Sequence, residues 1–207
     1  YRVRHSGAVG AITMIAEVHK FEACGASFKA RLAIGGSGAG WHDYKDVGAL
    51  AAKFDACELE AEEPAIIYYT SGSTGNPKGV VHAHRDMVFT GQSVAAEMLG
   101  MVESDSCFSM SKLFHSYGFG NALTFPLWVG GTTILSDRRV TPDMTFEIIE
   151  KFRPTVFFGV PTLYAQQLHA LEKVSPDLSS LRLCVSAGEA LPGDAFRRWK
   201  DKTGTMI

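Results

Sequence analysis

The chain has little charge of one sign to spare: 20 lysines and arginines nearly balance 22 acidic residues, for a formal net charge of −2. Without a basic excess there is no electrostatic drive toward a polyanion, so nucleic acid is disfavoured as a partner. Cysteine is scarce as well. Cys24, Cys57, Cys107 and Cys184 lie far apart, with none of the paired spacing of zinc or redox sites. They read as free thiols in a reducing compartment, which points to the cytoplasm. Long apolar runs are missing: the longest nearly apolar stretch, GAVGAITMIA (Gly7–Ala16), is far too short to span a bilayer, and no charged segment with a cleavage site precedes it. A soluble protein without membrane contact is expected. His82 and His84 have no evident third ligand, so no metal site is expected within the chain, and Glu62–Glu63 reads as a solvated charge cluster. Internal repeats and low-complexity tracts are absent too.

What is present is apolar material in quantity. Hydrophobic residues make up 46% of 207, enough for a large core in one domain or two small ones. The chain opens on Tyr1 rather than methionine, and Thr205-Met206-Ile207 begins a fresh apolar run, so a piece of a longer protein is expected. Strand-like runs fall near Ala8–Met14, Arg31–Ile34, Ala65–Tyr69, Val80–His82, Ser106–Met110, Thr132–Leu135, Thr155–Phe158 and Leu181–Ser186. Helical periodicity covers Asp46–Phe54, Asp86–Leu99, Pro142–Phe152, Pro161–Leu171 and Pro192–Lys202. Three of these open with proline, which suits the first turn, and Thr141 is placed to cap the helix at Pro142. The alternation predicts an α/β fold with largely parallel sheets flanked by helices. Gly35–Tyr44 and Ala56–Pro64 read as surface linkers, neither necessarily a domain boundary.

The stretch YYTSGSTGNPKGVVH (Tyr68–His82) carries three glycines, hydroxyl side chains and a lysine between two apolar runs. It follows AIIYY, which reads as a buried strand, and precedes VVH, a second strand. Outward-turned amides, the hydroxyls of Thr70, Ser71, Ser73 and Thr74, and Lys78 together suit the oxygens of a phosphate. By residue chemistry alone a solvent-exposed hairpin turn fits as well, since Asn-Pro and Ser-Gly are ordinary turn pairs. The order Pro77-Lys78-Gly79 differs from the phosphate loop of kinases and GTPases, where lysine is followed by Ser/Thr and a helix, so a kinase-like hydrolase is disfavoured.

The full stretch YYTSGSTGNPKGVVHAHRD resembles the signature of the adenylate-forming superfamily: acyl-CoA synthetases, nonribosomal adenylation domains and luciferases. KLFHSYGFGNALTFPLWVGGTTIL, RPTVFFGVPTLYAQQL and LRLCVSAGEALP resemble the motifs that follow in that family, so the resemblance covers nearly the whole chain. Benzoate and hydroxybenzoate CoA ligases are the most similar branch. The resemblance implies ATP-dependent conversion of a carboxylic acid, aromatic and benzoate-like, to an acyl adenylate, followed by thioester formation with coenzyme A, with Mg²⁺ as cofactor. Loading of a carrier-protein thiol, or an inactive nucleotide-binding fragment, are the alternatives.

Carried over residue by residue, the resemblance assigns Thr70, Ser71, Gly72, Ser73, Thr74, Gly75 and Lys78 to the β- and γ-phosphates of ATP. Gly188, Glu189 and Ala190 match the segment along the adenine. Tyr117 and Gly118 match the acyl pocket, as a flat ring beside an absent side chain, with Val160 and Pro161 as a further wall. His115 matches the gate of the pantetheine passage. Relatives continue into a Thr-Glu motif, a ribose-binding aspartate and a C-terminal domain with a catalytic lysine. The chain is therefore expected to be part of the large N-terminal domain without the metal ligand, and to lack ligase turnover by itself.

Overall fold

The computed structural model describes residues 1–50, 53–70 and 75–207 and divides into two units, Tyr1–Ala83 and His84–Ile207. The division falls at neither stretch read as a linker. In the first unit a short helix α1 (Arg2–Ser6) leads into β1 (Gly10–Met14), a 3₁₀ turn (Ile15–Glu17), α2 (Val18–Glu22), β2 (Ala30–Ile34) and β3 (His42–Asp43). These strands form a parallel sheet in the order β1-β2-β3, with Ile12 opposite Leu32 and Leu32 opposite His42. Val18, Ala33 and Trp41 form its core, and Phe21 meets the Trp41 ring edge-on at 5.7 Å.

The glycine-rich stretch expected to be a linker is a tight turn instead. Gly38 and Trp41 exchange backbone hydrogen bonds of 3.3 and 2.6 Å, and Gly40 takes a φ of +77°, which a side chain would resist. The turn delivers Trp41 to the core and leads directly into β3.

The helix expected over Asp46–Phe54 is a 3₁₀ segment over Tyr44–Ala49, and Leu50 is already extended; Ala51 and Ala52 lie outside the described residues. The Asp43 carboxylate accepts the Lys45 N–H at 3.0 Å, starting the segment as a tight local turn, and Gly48 weakens any α-helical continuation.

β4 (Pro64–Thr70) and β5 (Lys78–Ala83) pair antiparallel, with an irregularity between Pro64 and Ile66. AIIYY is half-exposed rather than buried, because each strand of this two-stranded sheet has one partner. The hairpin is anchored within its unit at Tyr69. Its hydroxyl lies 2.8 Å from His5 Nδ1, and the Arg2 guanidinium stands over its ring at 5.9 Å. Gly79 is opposite Tyr69, and a Cβ there would meet Ile67 Cγ2 at 3.1 Å and the Tyr69 ring at 3.3 Å. The glycine lets the ring lie across the facing strand.

The second unit begins with α3 (His84–Thr90), which widens to π-helical hydrogen bonding over Gly91–Met98. β6 (Ser106–Ser109) is followed by α4 (Ser116–Phe119), a π-helical stretch Gly120–Thr124, α5 (Phe125–Val129) and β7 (Thr132–Ile134). Then come α6 (Pro142–Phe152), β8 (Val156–Gly159), α7 (Pro161–Ala170), β9 (Leu183–Ser186) and α8 (Gly193–Thr203). Thr141 caps α6 as expected, its Oγ1 accepting the Met144 N–H at 3.2 Å, and Pro142 occupies the first turn.

The four strands are parallel in the order β7-β6-β8-β9. Every residue of β8 is buried, as befits a central parallel strand covered on both faces. Alternate side chains separate two cores. Phe108, Phe157 and Cys184 face Ile149, Tyr164 and Trp199 of α6, α7 and α8. Cys107, Val156 and Phe158 face Ala95 and Met101, with Tyr117 and Phe125 packed against them.

At the amino ends of the strands Asp105, 3% exposed, accepts from Thr155 Oγ1 (2.6 Å), from Arg182 Nε (2.7 Å) and from the Val102 N–H (2.9 Å). Burial opposes its ionisation, but the bonds from Arg182, Thr155 and Val102 outweigh that and hold the carboxyl down at about 2. This network ties β6, β8 and β9 together at the end opposite the cleft described next.

Candidate functional site

The sequence-predicted residues fall in two places, one in each unit. In the first, the closing pair of the β4–β5 hairpin is Thr70 opposite Lys78. Both are exposed, as is Gly75, and the Lys78 ammonium has no ion pair among the described residues. Ser71, Gly72, Ser73 and Thr74 lie outside the described residues. A strand, loop, strand layout is what the sequence led one to expect here. With no helix after the lysine, an anion at this loop would be met by amides, hydroxyls and the ammonium rather than by a helix N-terminus.

In the second unit, β6 leads to β7 on one side and β8 leads to β9 on the other, so the strand order reverses between β6 and β8. Open parallel sheets form a crevice at the carboxyl ends of the strands at such a point. A cleft of about 710 Å³ lies there, lined by residues 110–112 and 114–117 after β6, Val160 after β8, and Ala187 and Gly188 after β9. Its surface is mainly apolar. Tyr117, at the start of α4, stands its ring edge-on to Phe158 at 6.4 Å and donates its hydroxyl to the Gly159 carbonyl at 3.1 Å. Burial pushes the Tyr117 phenol well up, so it remains a neutral donor.

His115 also lines the cleft. It is the N-cap of α4, and its Nδ1 accepts the Tyr117 N–H at 3.3 Å, which leaves the proton of a neutral ring on Nε2. Lys112 is held at the edge by the carbonyls of Ser136 (2.7 Å) and Arg138 (2.8 Å).

The other predicted residues are placed differently. Gly118 is buried and does not line the cleft; a Cβ there would come within 2.2 Å of the Lys112 carbonyl oxygen and 2.6 Å of that of Ser111. Its missing side chain admits the backbone of the preceding turn. Pro161 is likewise buried, opening α7 behind Val160. Gly188 has a φ of +93° and turns the chain away from β9, and Glu189 and Ala190 are exposed beyond it. Lining residues not singled out from the sequence are Met110, Ser111, Lys112, Phe114, Ser116 and Ala187. Their common signal is position, immediately after the carboxyl end of a strand.

Among the described residues no group of three or more His, Cys, Asp or Glu side chains is placed to hold a metal ion, and no helix is long and apolar enough to cross a membrane.

Compared with known proteins, the chain matches the family described as AMP-binding enzyme over residues 1–207. It belongs to the AMP-binding enzymes. Among curated members of this AMP-binding family, it is 44% identical over 155 residues to the benzoate–CoA ligase of Thauera aromatica, a match covering 75% of this chain and 29% of that protein. It is 41% identical over 150 residues to the 4-hydroxybenzoate–CoA/benzoate–CoA ligase of Rhodopseudomonas palustris, covering 71% of this chain and 27% of that protein. Among solved AMP-binding structures, the anthranilate CoA ligase AuaEII in complex with anthranoyl-AMP superposes with a TM-score of 0.93 at 34% identity, covering 100% of this chain and 41% of that one. A benzoate CoA ligase from Burkholderia xenovorans gives 0.84 at 36% identity, again with 100% and 41% covered. The chain thus spans less than half the length of the relatives it matches.

Proposed function

We propose that the full-length protein uses ATP to activate an aromatic carboxylic acid as an acyl adenylate and passes the acyl group to the thiol of coenzyme A. The observation that carries this reading is the apolar cleft at the strand-order reversal, with the Tyr117 ring standing in its wall. The names of the relatives, benzoate and 4-hydroxybenzoate CoA ligases, support it. In this reading residues 1–207 are part of a larger adenylating domain.

In the first half-reaction a carboxylate oxygen attacks the α-phosphorus, and the bond to pyrophosphate breaks as the new P–O bond forms. In the second, the thiol sulfur attacks the acyl carbon, the thiol proton is lost and AMP leaves. Both steps gather negative charge, so positive charge and alignment are what the protein must supply. The loop closed by Thr70 and Lys78 takes the β- and γ-phosphates, with Ser71, Gly72, Ser73, Thr74 and Gly75 providing hydroxyls and amides. Gly188, Glu189 and Ala190 run along the adenine. Tyr117 and Val160 wall the acid, while Gly118 and Pro161 act from behind by fixing the backbone of that wall. His115, its Nδ1 already engaged, keeps Nε2 for the passage of the pantetheine arm. The family resemblance implies Mg²⁺, but the described residues offer no cluster to hold it and have no metal-dependent step assigned to them.

Exchange of labelled pyrophosphate into ATP by the full-length protein, run over aromatic and aliphatic acids and followed by mass detection of the thioester, tests the reading. Exchange with aromatic acids and an aryl-CoA product are expected. Exchange restricted to aliphatic acids would refute the substrate class. Adenylate that reacts with a carrier-protein thiol and not with coenzyme A would refute the acceptor.

A further inference from the structure

Asn121 does not line the cleft; it sits in the π-helical stretch Gly120–Thr124 that continues α4. It is 0% exposed, and neither the nitrogen nor the oxygen of its carboxamide has a hydrogen-bond partner among the described residues. A buried amide left so carries a desolvation cost that nothing offsets. The hydroxyls that bond its own stretch are committed to main-chain carbonyls, Thr124 Oγ1 to Gly120 at 3.3 Å and Thr133 Oγ1 to Ala122 at 2.9 Å.

Tyr117 offers what the amide lacks. Asn121 follows it by four positions, about one helical turn, and side chains on a helix lean toward its amino end, so the amide is carried back toward the phenol. Burial raises the phenol, and the Asn121 amide is near enough to oppose that rise while still short of hydrogen-bond geometry. The phenol has one proton for two carbonyls, Gly159 at 3.1 Å and Val185 at 3.5 Å, and its oxygen keeps a lone pair for a donor. Its hold is thus divided between β8 and β9.

We infer that Asn121 is a positioning residue for the Tyr117 ring: when an aromatic acid lies against that ring, the Asn121 Nδ2–H closes onto the phenol oxygen and fixes the cleft wall from its own helix. The inference rests on the ligase reading above, in which Tyr117 walls the acid. An acid packed on the ring excludes water from the phenol, and in that lower dielectric a donor on its oxygen gains strength. Part of the affinity for the acid then comes from a group that the acid does not touch.

The test is the KM and kcat of pyrophosphate exchange by the full-length protein with the aromatic acid that exchanges fastest. It compares the wild type, Asn121→Leu, Tyr117→Phe, their double variant and Thr124→Val. Leucine keeps the volume of the amide and removes its donor. Asn121→Leu is expected to raise the KM for the acid about fivefold with kcat within about twofold. In the Tyr117→Phe background, which has no phenol oxygen to accept, it is expected to add nothing. Thr124→Val removes a bond of the same stretch that goes to a carbonyl instead, and is expected to leave KM unchanged. Raman difference spectra between the wild type and Tyr117→Phe, with and without the acid, read the phenol with Asn121 intact. On binding, the Tyr117 bands are expected to move from those of a donor to those of a donor and acceptor. An equal rise in KM in both backgrounds, a fall in kcat with KM unchanged, or Tyr117 bands that ignore the acid would overturn the inference while leaving the ligase reading intact. No exchange with any aromatic acid in the wild type would overturn the ligase reading and this inference with it.

Discussion

The hydroxyl of Tyr117 donates to the main-chain carbonyl of Gly159 at 3.1 Å, joining the helical turn after β6 to the end of β8 where the strand order reverses. One side chain thereby both lines the cleft and joins two of its walls. Tyr117→Phe keeps the ring and removes the bond. It is expected to lower stability by about 1 kcal/mol and to raise the KM for the acid several-fold. Urea unfolding and initial rates on the full-length protein measure the two effects.

Two glycines of the site should fail for different reasons. Gly118→Ala drives a Cβ into the Lys112 and Ser111 carbonyls, at 2.2 and 2.6 Å, so the turn that carries the cleft wall must shift. A loss of about 1–3 kcal/mol is expected, together with loss of acid binding. Gly188→Ala meets nothing closer than 3.9 Å, but its φ of +93° is unfavourable for any side chain, so a loss of about 1–2 kcal/mol should come from strain alone. Thermal unfolding of both variants, beside acid titrations, separates a displaced wall from a strained turn.

Much of this was legible in the sequence wherever the signals are local. Thr141-Pro142 marks the start of α6, Pro161 the start of α7, and the apolar runs match the strands of the parallel sheet. The stretch Ser116–Val129 escaped notice as a helix because Gly118, Gly120 and Pro126 interrupt it and its apolar residues lack a single face. Packing against the sheet, not propensity, holds it helical. Asp105 and Arg182 stand 77 residues apart and carry no local pattern, so their pairing appears only once β6 and β9 are in one sheet. At the site, Tyr117 and Val160, singled out in the sequence, line the cleft. The burial of Gly118 was not legible, because the space that the backbone of the preceding turn needs there leaves no mark in the sequence.

Asp105 makes stability depend on acid pH. Its carboxyl is held at about 2 in the folded chain against an ordinary value of 3.8. The contribution is therefore fully present above about pH 4 and is lost as pH falls through the folded value. It amounts to about 2 kcal/mol. Asp105→Asn should be less stable at neutral pH and show a flatter decline between about pH 4 and 2. Denaturant unfolding across that range checks both the sign and the window.

The cysteines should react in order of exposure. Cys57 is exposed and Cys24 partly buried, with its thiol 2.9 Å from the Phe21 carbonyl. Burial pushes the thiols of Cys107 and Cys184 up to about 12, so neither forms thiolate near neutral pH. Alkylation followed by peptide mapping should label Cys57 first and Cys24 more slowly. Cys107 and Cys184 should be labelled only after denaturation, and rapid labelling of either in the native protein would contradict the packing described for β6 and β9.

In the proposed reaction the loop between Thr70 and Lys78 grips the phosphates of ATP while an organic acid is activated. Comparing Lys78→Ala with the wild type in the full-length protein, for adenylate formation and separately for thiol transfer from preformed adenylate, tests it most directly. The account predicts a loss of about 100-fold or more in adenylate formation with thiol transfer little changed. Equal losses in both steps, or none in the first, would contradict it.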